Sequence, residues 1–229
     1  MATARKWEEL IPQEVRGIYG KAGFGRRLGF GRHPAVLVVD MQYNQLGDKS
    51  EPVLDSIERH PLSAGELGWV TIEPIRELLD AARQQQVPVI FTVIEREPFD
   101  DGIWKNKTPA APSLLGPRGS EIVDELAPRK KEIVIRKKRS SAFFGTSLVS
   151  YLHAFQVDTL IISGCTTGSC VRSTVLDASQ YNLFPIVVEE CVFDRSLVMN
   201  AFNLFEMDVK WADVVALDEV KAYFRTLSR

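Results

Sequence analysis

The sequence predicts an α/β protein: a doubly wound, six-stranded, mainly parallel sheet with helices on both faces. Short runs of apolar residues alternate along the chain with amphipathic segments of helix length. Those runs are apolar at successive positions, so both faces must be covered, as in parallel sheets. Parallel strands joined through helices then require right-handed crossovers.

Taken in order, residues 1–34 stand apart from the core as a helix candidate (Trp7–Tyr19) and a glycine-rich, basic stretch, GKAGFGRRLGFGRHP. The run GKAGFG imitates a dinucleotide fingerprint, but no strand precedes it, so the segment reads as a surface arm against a neighbouring subunit. The domain proper then runs over residues 35–229. Its strands are Ala35–Asp40, Val87–Ile94, Glu132–Arg136, Thr159–Ser163 and Phe184–Val188, with a weaker one near Asp208–Trp211. Helices are read over Thr71–Gln86, Glu121–Leu126, Thr146–Phe155, Ser169–Tyr181 and Leu197–Phe205, and a last one runs from a cap at Asp218 through Leu227. Between the first strand and helix, Gln45–Trp69 reads as a long polar loop.

Composition narrows the class. The 28 basic residues against 30 acidic give a net charge of -2, which offers no field for a nucleic-acid backbone. The apolar runs are too short to span a bilayer, and MATARKWEEL has no signal-peptide core. Three cysteines, an odd number, suit free thiols in a reducing cytoplasm.

Ligands in open α/β sheets bind beyond the carboxyl ends of the strands. Those exits carry Asp40, Glu95–Glu97, Lys137 and Lys138, Gly164–Cys170 and Glu189–Arg195. In GCTTGSCVRST, Cys170 falls in the first turn of a helix, where unpaired N–H groups and the helix dipole favour a thiolate. An inert, buried cysteine is the other reading of that position. Asp40 closes a strand of continuous Val and Leu and points toward the crevice, unless it serves as a cap or loop acid. The patch RKKEIVIRKKR is mostly solvated surface, yet one lysine just past the strand would share the crevice with Asp40 and Cys170. Together they form a coherent device. The carboxylate takes the thiol proton and returns it to a leaving amine, and the lysine keeps the charged pair ionised. With only His33, His60 and His153 in the chain, a Cys–His dyad and a zinc site both lack candidates.

VVDMQ, KKRSSAFFGT and GCTTGSCVRST, in this order and each at a strand exit, resemble the isochorismatase-like cysteine hydrolases, most closely the N-carbamoylsarcosine amidohydrolase branch. The resemblance spans about residues 7–225. It implies Asp40, Lys137 (rather than Lys138) and Cys170 as the catalytic triad, and a non-proline cis peptide at Cys165–Thr166. It further implies an oxyanion hole made by the N–H groups of Thr166 and Cys170. Arg195, in EECVFDR, matches an arginine that binds a substrate carboxylate in that branch; a surface ion pair with Asp194 or Glu190 is the other reading. The stretch TVIEREPFDDGIW lacks the histidines with which nicotinamidases hold a metal, so neither metal nor other cofactor is expected. Glu95 and Glu97 are left for other pocket roles, and Trp104 and Phe143 are candidate walls.

The expected activity is hydrolysis of the linear C–N bond of a small carboxylate-bearing amide or N-carbamoyl compound, through a thioester, with release of ammonia. A maleamate-type amidase is the alternative within the branch. A vinyl-ether hydrolase of the isochorismatase type, or a non-catalytic binding module, is opposed by the intact cysteine motif. The resemblance also implies a homodimer or homotetramer.

Overall fold

In the computed structural model, residues 5–95, 107 and 117–227 are described. Six strands, all parallel, form one sheet in the order β3-β2-β1-β4-β5-β6. They are β1 (Pro34–Val39), β2 (Val89–Ile94), β3 (Ile133–Lys137), β4 (Thr159–Cys165), β5 (Phe184–Phe193) and β6 (Asp213–Val215). Every residue of β1, β2 and β4 is buried, as their continuous apolar runs require.

Alternate residues of the central strands feed two separate cores. Val36 and Val38 pack with α5 (Ile72–Gln84) and α9 (Leu217–Thr226) through Ile75, Leu78, Leu79, Val220 and Phe224. Ala35, Leu37 and Val39 face the other way, onto α6 (Leu148–Ala154), α7 (Arg172–Gln180) and α8 (Leu197–Lys210). This is the three-layer, doubly wound architecture read from the sequence. Its strand order reverses between β1 and β4, the place where such sheets open a crevice.

Four elements depart from the sequence reading. Asp208–Trp211 is not a strand: α8 runs on to Lys210, because Leu204 and Met207 continue the buried helical stripe, and the last strand is Asp213–Val215. The N-terminal helix breaks into a 3₁₀ turn (Lys6–Leu10) and α1 (Gln13–Lys21) around Pro12, which lacks an N–H and holds Ile11 extended. Residues 121–126 are not one helix: Ile122 bridges to Gln42, and only Asp124–Leu126 turns. Gln45–Trp69 is no open loop. It overlaps α2 (Tyr43–Leu46) and contains α3 (Val53–Ser56) and α4 (Glu66–Trp69), with Leu46, Ser56, Ser63 and Ala64 fully buried.

The arm also proves to be strapped to its own chain. The N–H groups of Leu28 and Gly29 bond Asp213 at 3.0 and 2.7 Å, and those of Arg32 and His33 bond the Asp158 carboxylate.

Gly164, in β4 beside β1, has φ +100°, and a Cβ there would lie 2.1 Å from the Val39 carbonyl oxygen. Gly164→Ala is therefore expected to destabilise the fold by at least about 3 kcal/mol in urea unfolding. A loss below about 1 kcal/mol would contradict this packing.

Candidate active site

The exits of three strands converge near the strand-order reversal. Asp40 follows β1 directly, with φ 51°, a left-handed conformation that Asp tolerates better than bulkier residues. Its N–H is held by Thr92 of β2, bonding O at 3.1 Å and Oγ1 at 3.2 Å. The Thr92 hydroxyl donates to Asp40 Oδ1 at 2.7 Å, so the carboxylate is aimed from the neighbouring strand.

Lys137 ends β3, the edge strand. Its burial pattern alternates: Val134 and Arg136 are exposed, Ile135 and Lys137 buried. That alternation, rather than composition, selects Lys137 over Lys138. β2 lies between β3 and β1, so only a long side chain can cross its end and reach Asp40. Nζ lies 2.7 Å from Asp40 Oδ2, with both side chains inaccessible to solvent. It donates to the carbonyls of Arg139 and Ser140 at 3.0 Å each, and to Cys170 Sγ at 3.3 Å. The contact with Oδ2 is the shortest of these, an ion pair in which the Asp40 carboxylate favours the charged ammonium. Oδ2 takes no hydrogen bond from a hydroxyl or a backbone N–H and faces the ammonium.

Cys170 sits in a π turn, Thr167–Val171, between β4 and α7. The turn closes on the Thr166 carbonyl, which accepts the N–H groups of Ser169 and Val171. The Cys165–Thr166 peptide bond is cis. Asp194 Oδ2 takes the Gly168 N–H at 2.8 Å, and the Thr167 hydroxyl bonds Asn200 Oδ1 at 2.5 Å, so β5 and α8 hold the turn from behind.

The electrostatics invert one expectation. Burial, then the Asp40 charge, push the Cys170 thiol up to about 11, and Lys137 offsets only part of this. Desolvation and a neighbouring carboxylate outweigh the helix mouth. The resting cysteine is a thiol, not the thiolate read from its position. Burial would likewise lower Lys137, but the charge of Asp40 and the contact with Cys170 reverse the sign and keep it an ammonium.

Arg195 lies just past β5. Its guanidinium Nη2 donates to Gln45 Oε1 at 3.2 Å and to the Leu62 carbonyl. Neither acid of the alternative reading takes the guanidinium in the hydrogen bonds seen. Asp194 accepts the Arg195 backbone N–H, and Glu190 accepts that of Leu217. Phe143 is core packing, 6% exposed and stacked on Tyr181 at 5.2 Å. Glu95 pairs with Arg136. Glu97 and Trp104 lie outside the described residues. His60 pairs with Asp48, and His33 and His153 are exposed. Among the described residues, no group of three or more His, Cys, Asp or Glu is placed to hold a metal ion, and no helix is long and apolar enough to cross a membrane.

Sequence reasoning gave no role to Thr92, Gln42 or Gln45, and read Asp194 only as an ion-pair partner for Arg195. Gln42 alone carried a signal, a polar residue directly after VVDM. Its amide pins the exit of β2, accepting the Ile94 N–H at 2.8 Å and donating to the Ile94 and Ser120 carbonyls.

The family model for the isochorismatase domain matches residues 34–219, and the chain belongs to that family. It is 34% identical over 209 residues to the maleamate amidohydrolase of Pseudomonas putida, covering 90% of this chain and 93% of that protein. It is 35% identical over 220 residues to the N-carbamoylsarcosine amidase of an Arthrobacter species, covering 92% and 78%. Among solved structures, a cysteine hydrolase from Pseudomonas syringae shares the fold with a TM-score of 0.77 at 24% identity, covering 90% of this chain and 98% of that one. The N-carbamoylsarcosine amidase of Thermoplasma acidophilum superposes with a TM-score of 0.66 at 29% identity, covering 81% and 97%.

A resting thiol has a measurable consequence. Iodoacetamide labelling of Cys170, followed by peptide mass spectrometry, is expected to speed up from pH 7 through pH 10, since the thiolate fraction keeps growing toward a pKa of about 11. A rate already level at pH 7 would mean a thiolate at rest. Cys165 and Cys191 are fully buried and should label far more slowly.

Proposed function

We propose that the protein is a cysteine amidohydrolase that cleaves the linear C–N bond of a small carboxylate-bearing amide or N-carbamoyl compound, N-carbamoylsarcosine-like, and releases ammonia. The observation that carries this reading is the buried cluster in which Lys137 Nζ lies 2.7 Å from Asp40 Oδ2 and 3.3 Å from Cys170 Sγ. The two curated relatives, each matched over nine-tenths of this chain, are amide hydrolases by name and support the same class.

In this reading Asp40 Oδ2 accepts the thiol proton as substrate arrives, and Cys170 Sγ attacks the amide carbonyl. The developing oxyanion is received by the backbone N–H groups of Thr166 and Cys170. Asp40 returns the proton to the departing nitrogen, ammonia leaves, and a thioester remains. Water, deprotonated by Asp40, then attacks the thioester and releases the thiol. Lys137 acts as a fixed positive charge throughout, stabilising the carboxylate before transfer and the thiolate after it. An N-carbamoyl substrate would yield a carbamate that loses CO2 to leave the amine. A maleamate-type substrate would yield the diacid, and the P. putida relative keeps this second reading in view. Arg195 is assigned to the substrate carboxylate, its guanidinium positioned by Gln45 and the Leu62 carbonyl. No cofactor enters the reaction.

Three free cysteines suit a reducing cytoplasm. A homodimer or homotetramer is proposed from the apolar start of α8, where Leu197, Val198, Met199 and Phe202 are each more than half exposed beside Arg195. Sedimentation of a monomer at micromolar concentration would remove that assignment.

An ammonia-release assay over N-carbamoyl amino acids, maleamate and nicotinamide tests the activity. Cys170→Ala should abolish release from every substrate found, and unchanged turnover would reject the mechanism. Arg195→Ala should raise KM by about tenfold or more for carboxylate-bearing substrates, the scale of one lost charge-assisted contact. An equal rise for neutral amides would strip Arg195 of its role.

A further inference from the structure

The side chain of Thr174 is fully buried on α7; it is the last residue of GCTTGSCVRST, but the sequence assigned it no role. Its hydroxyl donates to the Cys170 carbonyl at 2.7 Å and accepts the Ala142 N–H at 3.0 Å. A threonine bonding back to the carbonyl four residues earlier does not strengthen a helix, and tends slightly to weaken it. The hydroxyl's placement therefore has to be explained by what else it touches.

Ala142 belongs to the loop over residues 138–147, between β3 and α6. The same loop turns back on the site, and its carbonyls at Arg139 and Ser140 each accept a hydrogen bond from Lys137 Nζ. A second tie lies one helical turn away: the Ser141 hydroxyl donates to Asp177 Oδ2 at 2.5 Å. Within the loop, Ser141 Oγ accepts the Phe143 N–H at 3.1 Å, and Thr146 Oγ1 closes onto the Ala142 carbonyl at 2.6 Å. The orientation of the ammonium thus depends on the loop, and the loop is anchored on the helix that follows the cysteine. One hydroxyl touches both sides of that arrangement.

We propose that Thr174 is a positioning residue that ties the backbone of Cys170 to the loop aiming the Lys137 ammonium, and so sets the 3.3 Å contact between Nζ and Sγ. The proposal rests on Cys170 being the nucleophile. Two titratable groups act on the sulfur, Asp40 from the exit of β1 and Lys137 from β3, and Cys170 in turn helps to raise the buried Cys165 thiol of β4. Thr174 carries no charge, so its influence runs through geometry alone.

Thr174→Val keeps the shape and removes both hydrogen bonds; Thr174→Ser keeps the hydroxyl. Loosening the ammonium weakens its stabilisation of the thiolate. In Thr174→Val the pH profile of Cys170 alkylation, measured without substrate, should therefore move to higher pH. The kcat should fall about tenfold with KM little changed, the scale of one buried hydrogen bond. Thr174→Ser should restore both. A Thr174→Val protein whose melting temperature drops while its alkylation profile and kcat stay within about twofold of the parent would show a packing role only, and overturn the proposal. Should Thr174→Val fail to fold, Ser141→Ala severs the loop's other tie and leaves the Cys170 carbonyl bonded. A smaller shift in the same direction is expected there, and an unshifted profile overturns the proposal equally. Failure of the nucleophile reading would look different, as ammonia release that survives in Cys170→Ala.

Discussion

The ammonium of Lys137, buried against the carboxylate of Asp40, is the constraint from which the rest of the site follows. A lone buried charge costs several kcal/mol, so neither group is tenable without the other. Attraction across 2.7 Å offsets part of that desolvation, and directed hydrogen bonds must supply the remainder. The ammonium finds them at the carbonyls of Arg139 and Ser140 and at the sulfur of Cys170, and the carboxylate finds one at the Thr92 hydroxyl. Those partners come from the exits of different strands. The charge pair therefore holds the carboxyl end of the sheet in one arrangement as much as it prepares a reaction.

That arrangement also explains why the cysteine rests protonated. A thiol near an ammonium and a helix start would ionise readily if it were wet. Here it is almost wholly buried and faces a carboxylate, and both disfavour a second negative charge. The proton is thus stored on sulfur, with the Asp40 carboxylate beside it. In the proposed reaction the acid and base functions belong to one group, Asp40, and the lysine never has to titrate. Such a division suits a chain with few histidines, none of which is needed for the proton transfers.

Around this centre the chain adds a frame with a different purpose. The segment from Tyr43 to Trp69 folds into short turns, closed in part by the buried Ser56–Ser63 hydroxyl pair at 2.8 Å. It supplies Gln45 and the Leu62 carbonyl to Arg195. The cation proposed to choose the substrate is thereby fixed by residues remote from the triad in sequence. Asp194 joins the two regions, bonding the Gly168 N–H of the cysteine turn and the backbone N–H of Arg195. The proposed substrate cation and the turn that carries Cys170 are thus tied to a single carboxylate.

How much could be read without coordinates follows from the range of the forces involved. Periodicity is a local property, so the sequence by itself determined the parallel sheet, the main helices packed on it and the strand exits that bear Asp40, Lys137 and Cys170. It erred where local pattern competes with packing. At Asp208–Trp211 a buried helical stripe outlasted the apparent strand, and across Gln45–Trp69 the hydroxyls of Ser56 and Ser63 bonded each other and became interior. It could not foresee the partners of Thr92, Thr174 or Asp194, because a threonine or aspartate reveals its partner only when another segment is brought against it. Nor could it state the charge of the sulfur. Burial and neighbouring charges set that quantity, and both exist only once distant strands have converged, so the tertiary structure alone decided it.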